Sequence, residues 1–205
     1  MRKLVVAVIA FASILGGTGV LTGTANAAQP ATSSSNVTAK GLASNYMTGL
    51  FVRGNNVYIP TEVGVSISSD GGKSYSTYTT RNGLGSDFVM GVAADSSTVY
   101  AATSVGLSIS TNGGKKFVTR TTRDGLGSNF ITGVHLAGST IYAATANGLS
   151  VSVNGGTSFT NYTTSNGLGS NYVNGVFALG TSIYAATPNG PVSYTHLTLP
   201  TNREV

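Results

Sequence analysis

Between residues 130 and 163 the chain alternates apolar and polar positions in four short runs, 130–136, 139–144, 148–153 and 158–163, each bounded by Gly, Asn or Ser. Runs of this length with such boundaries predict β-strands. In the second run Ile141 and Ala143 fall on one face and Tyr142 and Ala144 on the other, so both faces are apolar and both need cover. The connections Ala137-Gly138, Thr145-Ala146-Asn147 and Asn154-Gly155-Gly156-Thr157 are too short to join anything but antiparallel neighbours. The predicted unit is therefore a four-stranded antiparallel meander, with residues 164–170 leading out of it.

The same pattern is written several times. Gly125-Leu126-Gly127-Ser128-Asn129-Phe130 has copies beginning at Gly83, Gly167 and, slightly altered, Gly41, a constant step of 42 residues. Tyr58, Tyr100, Tyr142 and Tyr184 keep the same register, and the last three each open Tyr-Ala-Ala-Thr. A period of this length with four strands in each unit predicts β-propeller blades, stacked so that each covers its neighbour's apolar faces. The paired alanines are small enough to suit close approach near a crowded axis. A parallel β-solenoid is the rival architecture, but its repeats are usually shorter and lack a hairpin Asn-Gly-Gly at a fixed place. The fold class expected is all-β: about three and a half blades over residues 41–190, an incomplete propeller.

The ends depart from the period. Residues 1–27 have the layout of a secretory signal, with Arg2 and Lys3, an apolar run from Leu4 to Leu15, and Ala25-Asn26-Ala27 as a cleavage site. Gly16-Gly17 and Gly19 interrupt the apolar run short of a spanning helix, so no membrane span is expected after cleavage. Residues 28–40, with Gln29-Pro30 and Ser33-Ser34-Ser35, read as a flexible linker. Asn36-Val37-Thr38 and Asn161-Tyr162-Thr163 match the glycosylation sequon. After Gly190 the repeat calls for Leu-Ser; Pro191 begins a foreign run instead. That run, through Thr201, resembles the translation of a transposon-based sequencing adapter, so residues 191–205 are expected to be a non-native tail in which His196 and Arg203 carry no function.

Composition narrows the chemistry. The chain has no Cys, which excludes a disulfide framework, a thiolate metal site and a Cys nucleophile. Charged residues are only 8% of the total. Setting aside Arg2 and Lys3, and the cancelling pair Arg203 and Glu204, lowers the net charge from +5 to +3, too mild a balance to argue for nucleic acid.

Two loops carry resemblances. Ser68-Ser69-Asp70-Gly71-Gly72-Lys73-Ser74-Tyr75 and its copies around Asn112, Gly114 and Asn154, Gly156 resemble the Asp-box, or BNR repeat, of sialidase-type propellers. Its residues explain themselves as a hairpin: Asp or Asn accepts hydrogen bonds from its own turn, Gly supplies positive φ, and an aromatic packs beneath. The resemblance implies a structural role for Asp70, Gly72, Asn112, Gly114, Asn154 and Gly156. The stretch from Asn166 to Val173, followed by Tyr184-Ala185-Ala186-Thr187 and Asn189-Gly190, resembles the repeat of two-component regulator propellers, with Tyr where that family usually has Trp. This second resemblance implies an extracytoplasmic sensor-type propeller.

Function, if any, is expected where the repeats differ. The loops joining blades and those joining second to third strands emerge on one side of a propeller, so the ligand-face candidates are Arg81, Asp87, Arg123, Asp124, Asn129 and Asn171, with Glu62 beside them. His135 stands where the other repeats have Phe51, Ala93 and Phe177, and is expected to pack or line a channel. Lys115, Lys116, Arg120 and Arg123 fall at an outer strand and its exit, where charge guards an edge against pairing. No catalytic residue, metal site or cofactor is expected, because the arginine cluster and acid–nucleophile constellation of a sialidase cannot be assembled. The expected function is a secreted binding or interaction module of sensor or surface type, with a protein or carbohydrate ligand and open blade edges that would self-associate. The alternatives are a fragment of a sialidase-like glycoside hydrolase with catalytic residues in missing blades, and a structural adhesive repeat array.

Overall fold

The computed structural model describes residues 40–194. The expected signal, linker residues 28–39, the Asn36 sequon and the tail from residue 195, with His196 and Arg203, lie outside the described residues. Fifteen strands form four antiparallel meanders in chain order. The first sheet is β1 (Phe51–Arg53), β2 (Asn56–Thr61), β3 (Gly64–Ser68) and β4 (Ser76–Tyr78). The second is β5 (Val89–Ala94), β6 (Val99–Thr103), β7 (Gly106–Ser110) and β8 (Val118–Arg120). The third is β9 (Ile131–Ala137), β10 (Thr140–Thr145), β11 (Gly148–Ser152) and β12 (Thr160–Tyr162). The fourth has three strands, β13 (Gly175–Leu179), β14 (Ser182–Thr187) and β15 (Gly190–Tyr194). The arrangement is all-β, an incomplete propeller.

First strands of successive sheets touch one another, β1 with β5, β5 with β9, β9 with β13, and so form the inner side. The core lies between the sheets. Tyr100, Ala102, Leu107 and Ile109 of the second sheet pack on Ile131, Ile141, Ala143 and Phe159 of the third. One repeat later, Tyr142, Ala144, Leu149 and Val151 meet Val173, Ala178, Ile183 and Ala185. Each fully buried side chain of this size contributes about 1.5–3 kcal/mol, and every interface is built from the same repeat positions.

The close approach at the inner strands is made by glycine rather than by the paired alanines. Ala101, Ala102, Ala143 and Ala144 lie on second strands and thin the space between sheets. On the inner strands, a Cβ on Gly91 would stand 3.7 Å from the Gly133 Cα, and one on Gly133 would stand 3.8 Å from the Gly175 Cα.

The connecting stretches do more than pass the chain along. Each begins with a single 3-10 turn, Thr80–Asn82, Thr122–Asp124 or Thr164–Asn166, that the alternation of apolar residues does not signal. It then runs beside the outer strand of the next sheet: the Phe117 amide donates to the Asn82 carbonyl at 2.8 Å and the Phe159 amide to the Asp124 carbonyl at 2.9 Å. Backbone thus covers part of the outer edge that charge alone was expected to protect. Lys40, placed by its sequence in the linker, already belongs to this arrangement, since the Tyr75 amide donates to its carbonyl at 2.8 Å.

The fourth sheet takes in the start of the run that departs from the repeat. Pro191 was the first residue of the foreign run, yet residues 190–194 pair with β14, Pro191 opposite Ala186 and Val192 opposite Ala185. A third strand asks little of its sequence here, because Pro191 is a single missing donor and the remaining backbone groups pair.

Candidate functional site

The linker end of the sheets is assembled from the Gly-Leu-Gly-Ser-Asn stretches. Ahead of the third sheet, Thr121 and Asp124 form a reciprocal capping box, and Gly125 closes the 3-10 turn in the left-handed region at φ 93. A Cβ on Gly125 would overlap the Phe159 carbonyl, so both conformation and space demand glycine. The Gly127 amide then donates to Ser150 Oγ at 3.0 Å, fixing the loop to the buried third strand. The Asn147 amide group donates to the Gly127 carbonyl at 3.1 Å, and Asn189 does the same to Gly169 at 2.8 Å. The two kinds of loop therefore share one end of the sheets.

This geometry accounts for most of the candidate residues. Asp87, Asn129 and Asn171 each use a side-chain oxygen to accept the amide at the start of the preceding 3-10 turn, from Thr80 at 2.6 Å, Thr122 at 2.8 Å and Thr164 at 2.8 Å. Asp124 accepts the Thr121 amide at 2.8 Å and pairs with Arg120 at 3.5 Å rather than with Arg123. Glu62 accepts the Ser44 hydroxyl at 3.2 Å. Arg81 and Arg123 are exposed on separate linkers. These groups are laid out one linker at a time, and the described contacts do not bring them together.

The turns between third and fourth strands repeat one network. Asp70 Oδ1 accepts the Ser74 amide at 3.0 Å, Asn112 the Lys116 amide at 3.0 Å and Asn154 the Ser158 amide at 3.1 Å. Ser68, Ser110 and Ser152 accept the amides of Gly72, Gly114 and Gly156 in turn. Hydrogen bonds from Ser74 and Ser68 hold the Asp70 carboxyl well below the usual carboxylate range. The closing aromatics Phe117 and Phe159 are buried between sheets.

On the inner side the first strands, with β14 and β15 of the fourth sheet, line a groove of about 950 Å³, whose residues include Leu50, Val134, Leu136 and Tyr184, with Arg53, Asp95 and His135. Its basic side chains serve the scaffold. Arg53 donates to the Ala94 carbonyl at 3.4 Å, and His135 Nε2 lies 3.1 Å from the Ala178 carbonyl with its ring 4.5 Å from that of Phe177. Burial holds the His135 imidazole below its ordinary value, against the opposing pull of the Ala178 carbonyl. The unfolded chain then takes up this proton first, near pH ~6.5. Stability is complete above that pH, falls as pH drops through the window down to the lower folded value, and levels off beneath it. His135→Phe, the residue of positions 51 and 177, is expected to flatten that slope. Urea midpoints compared at about pH 7.5 and pH 5 test it, and an unchanged difference between the two pH values would refute it.

One feature of the linker end is common to all the repeats. Tyr46, Phe88, Phe130 and Tyr172 follow the Ser-Asn or Ser-Asp pair at the same repeat position and are 38–61% exposed. The loops bond through Asn129 and Ser128 and their counterparts, with backbone and side-chain oxygen, and ask nothing of the rings. Their recurrence at every 42nd residue was the available signal.

No protein-family model matches the chain, and no curated protein matches it. Solved structures do. The extracellular domain of the hybrid two-component system BT3049 of B. thetaiotaomicron superimposes with a TM-score of 0.59 at 21% identity, over 67% of this chain and 20% of that one. That of BT4673 from the same organism gives 0.58 at 18% identity, over 76% and 21%. An ancestral GH74 enzyme gives 0.54 at 18% identity, over 72% and 22%. The chain spans about a fifth of the length of these proteins. Likeness at this level of identity shows the fold: the sheets are of the β-propeller type found in extracellular sensor domains.

Proposed function

We propose that the chain is an extracytoplasmic β-propeller interaction module, without catalysis of its own, that captures carbohydrate chains at the linker end of its sheets. The observation carrying this is the row of exposed aromatics Tyr46, Phe88, Phe130 and Tyr172, each set ahead of an inner strand in a loop whose Ser hydroxyl accepts its amide. Aromatic rings give large, rigid contact area at low entropic cost, and flat apolar sugar faces suit them. Around them the loops offer amides and hydroxyls, and the exposed charges among them, Glu62, Arg81 and Arg123, are of mixed sign, which favours neutral glycans. The leader-like residues 1–27, and the extracellular setting of the structurally similar sensor domains, support export.

The carboxylates support a non-catalytic role. All five among the described residues accept hydrogen bonds from nearby groups: Glu62, Asp70, Asp87, Asp95 and Asp124. A glycosidase needs one such group free to protonate a leaving oxygen and another to attack or activate water.

Binding to immobilised neutral, sialylated and sulfated glycans is the test, with calorimetry on any that are retained. A neutral glycan is expected to bind, and Phe88→Ala with Phe130→Ala to weaken it about tenfold or more, ~1.4 kcal/mol at the least. Lys115→Ala with Lys116→Ala is expected to leave binding unchanged. Retention of proteins alone, indifference to the aromatic substitutions, or release of new reducing ends would each overturn the reading.

A further inference from the structure

The turns between third and fourth strands leave the sheets at the end opposite the linkers, and there the second and third repeats bound a cleft of about 470 Å³. Ile109, Asn112, Lys116 and Arg120 of the second repeat line one side of it, Gly155 and Thr157 of the third the other. A cleft of this size lies within the range of small-molecule sites. Its chemistry differs from that of the equivalent positions elsewhere. Lys116 stands where the first and third repeats have Ser74 and Ser158, and Arg120 where they have Tyr78 and Tyr162. Asn112 replaces the Asp70 of the first repeat, which takes a carboxylate away from the same place. Guarding the outer edge does not account for Lys116 and Arg120. The chain there is already tied to a linker, through the Phe117 amide on the Asn82 carbonyl at 2.8 Å and the Thr119 hydroxyl on the Gly83 carbonyl at 3.2 Å. The first and third sheets do without a charge at either position.

Donors gather in this cleft without acceptors to match. Asn112 keeps its oxygen on the Lys116 amide, as Asn154 does on the Ser158 amide. The Asn154 amide group also donates to Ser158 Oγ at 2.9 Å, whereas Lys116 offers the Asn112 amide group no such hydroxyl. Arg120 Nε is buried with no hydrogen-bond partner, and its guanidinium, which stays charged, meets Asp124 at 3.5 Å through Nη1. A partly desolvated charge attracts an anion more strongly than one surrounded by water. Lys116 and Arg120, set against Asp124, leave the cleft with a single net positive charge. We propose that this cleft binds a sulfate ester. Its one negative charge matches that balance, and its three terminal oxygens can accept from Lys116, Arg120 and the Asn112 amide group together. A phosphate ester, close to doubly charged at neutral pH, exceeds the charge available, and a planar carboxylate offers one oxygen fewer.

The test is titration of the full, isotopically labelled chain with methyl sulfate at low ionic strength, followed through its amide NMR shifts. Saturable shifts are expected at Asn112, Lys116 and Gly155, with methyl phosphate and acetate binding more weakly. Lys116→Ser and Arg120→Tyr install the residues of the neighbouring repeats, so the fold should survive, and an otherwise unchanged amide spectrum confirms it. Each is expected to weaken methyl sulfate binding about tenfold. Lys115→Ala removes a positive charge at the repeat position of Thr157, on the side of the preceding sheet, and should change the affinity by about twofold at most. No saturation, tighter binding of acetate or methyl phosphate, indifference to either cleft substitution, or an equal loss in Lys115→Ala would overturn the proposal. A neutral glycan carries no sulfate, so its binding or failure to bind at the aromatic row is read separately from the cleft.

Discussion

Replacing Gly156 by alanine is expected to lower the stability of the chain by about 2–5 kcal/mol, the sum of a left-handed backbone and an overfilled interface. Gly156 closes the turn between β11 and β12 at φ 81, a conformation that costs side-chain-bearing residues about 1–2 kcal/mol. A Cβ there would also overlap Cδ1 of Ile109, from the preceding sheet, and come within 3.4 Å of Ile141 Cδ1. Its neighbour Gly155 has φ 69 and meets nothing within 4 Å. Gly155→Ala should therefore show the backbone part alone. Urea unfolding of the two variants separates the contributions, and equal losses would refute the packing argument. Trimming the obstacle in a Gly156→Ala, Ile109→Val double variant should recover part of the loss, since the two residues share one space.

That turn also shows how much of the fold was legible. Its Asp or Asn, its glycine and its closing aromatic are local requirements, and they recur at a fixed step, so the hairpin and the four-stranded unit follow from residues that explain themselves. What the turn touches is not local. That Gly114 and Gly156 abut Ile67 and Ile109 of the preceding sheet follows only from the stacking of sheets. The same reason hid the glycine row of the inner strands: Gly91, Gly133 and Gly175 recur in the sequence, but their closeness depends on the approach of successive sheets.

The candidate site was legible in place and misread in detail. The loops identified do share an end of the sheets. Yet the polar residues of those loops named as ligand-face candidates include Asp87, Asn129 and Asn171, whose oxygens are committed to their own linkers. Polar side chains in a Gly-rich loop have two uses, bracing the backbone and meeting a ligand, and the sequence does not separate them. Exposure does, and it points to Phe88 and Phe130 instead.

Tyr142→Ala and Tyr184→Ala remove the same side chain at the same repeat position and are expected to differ sharply. Tyr142 is buried between the third and fourth sheets, packed with Ile183 and Ala185, and its truncation should cost about 3–5 kcal/mol, as for other large aromatic side chains in a core. Among the described residues no sheet follows Tyr184, which is largely open, so its loss should cost less than about 1 kcal/mol. Urea unfolding of the two variants decides the matter: a large loss for Tyr142→Ala beside a small one for Tyr184→Ala is the expected result, and equal losses would refute it.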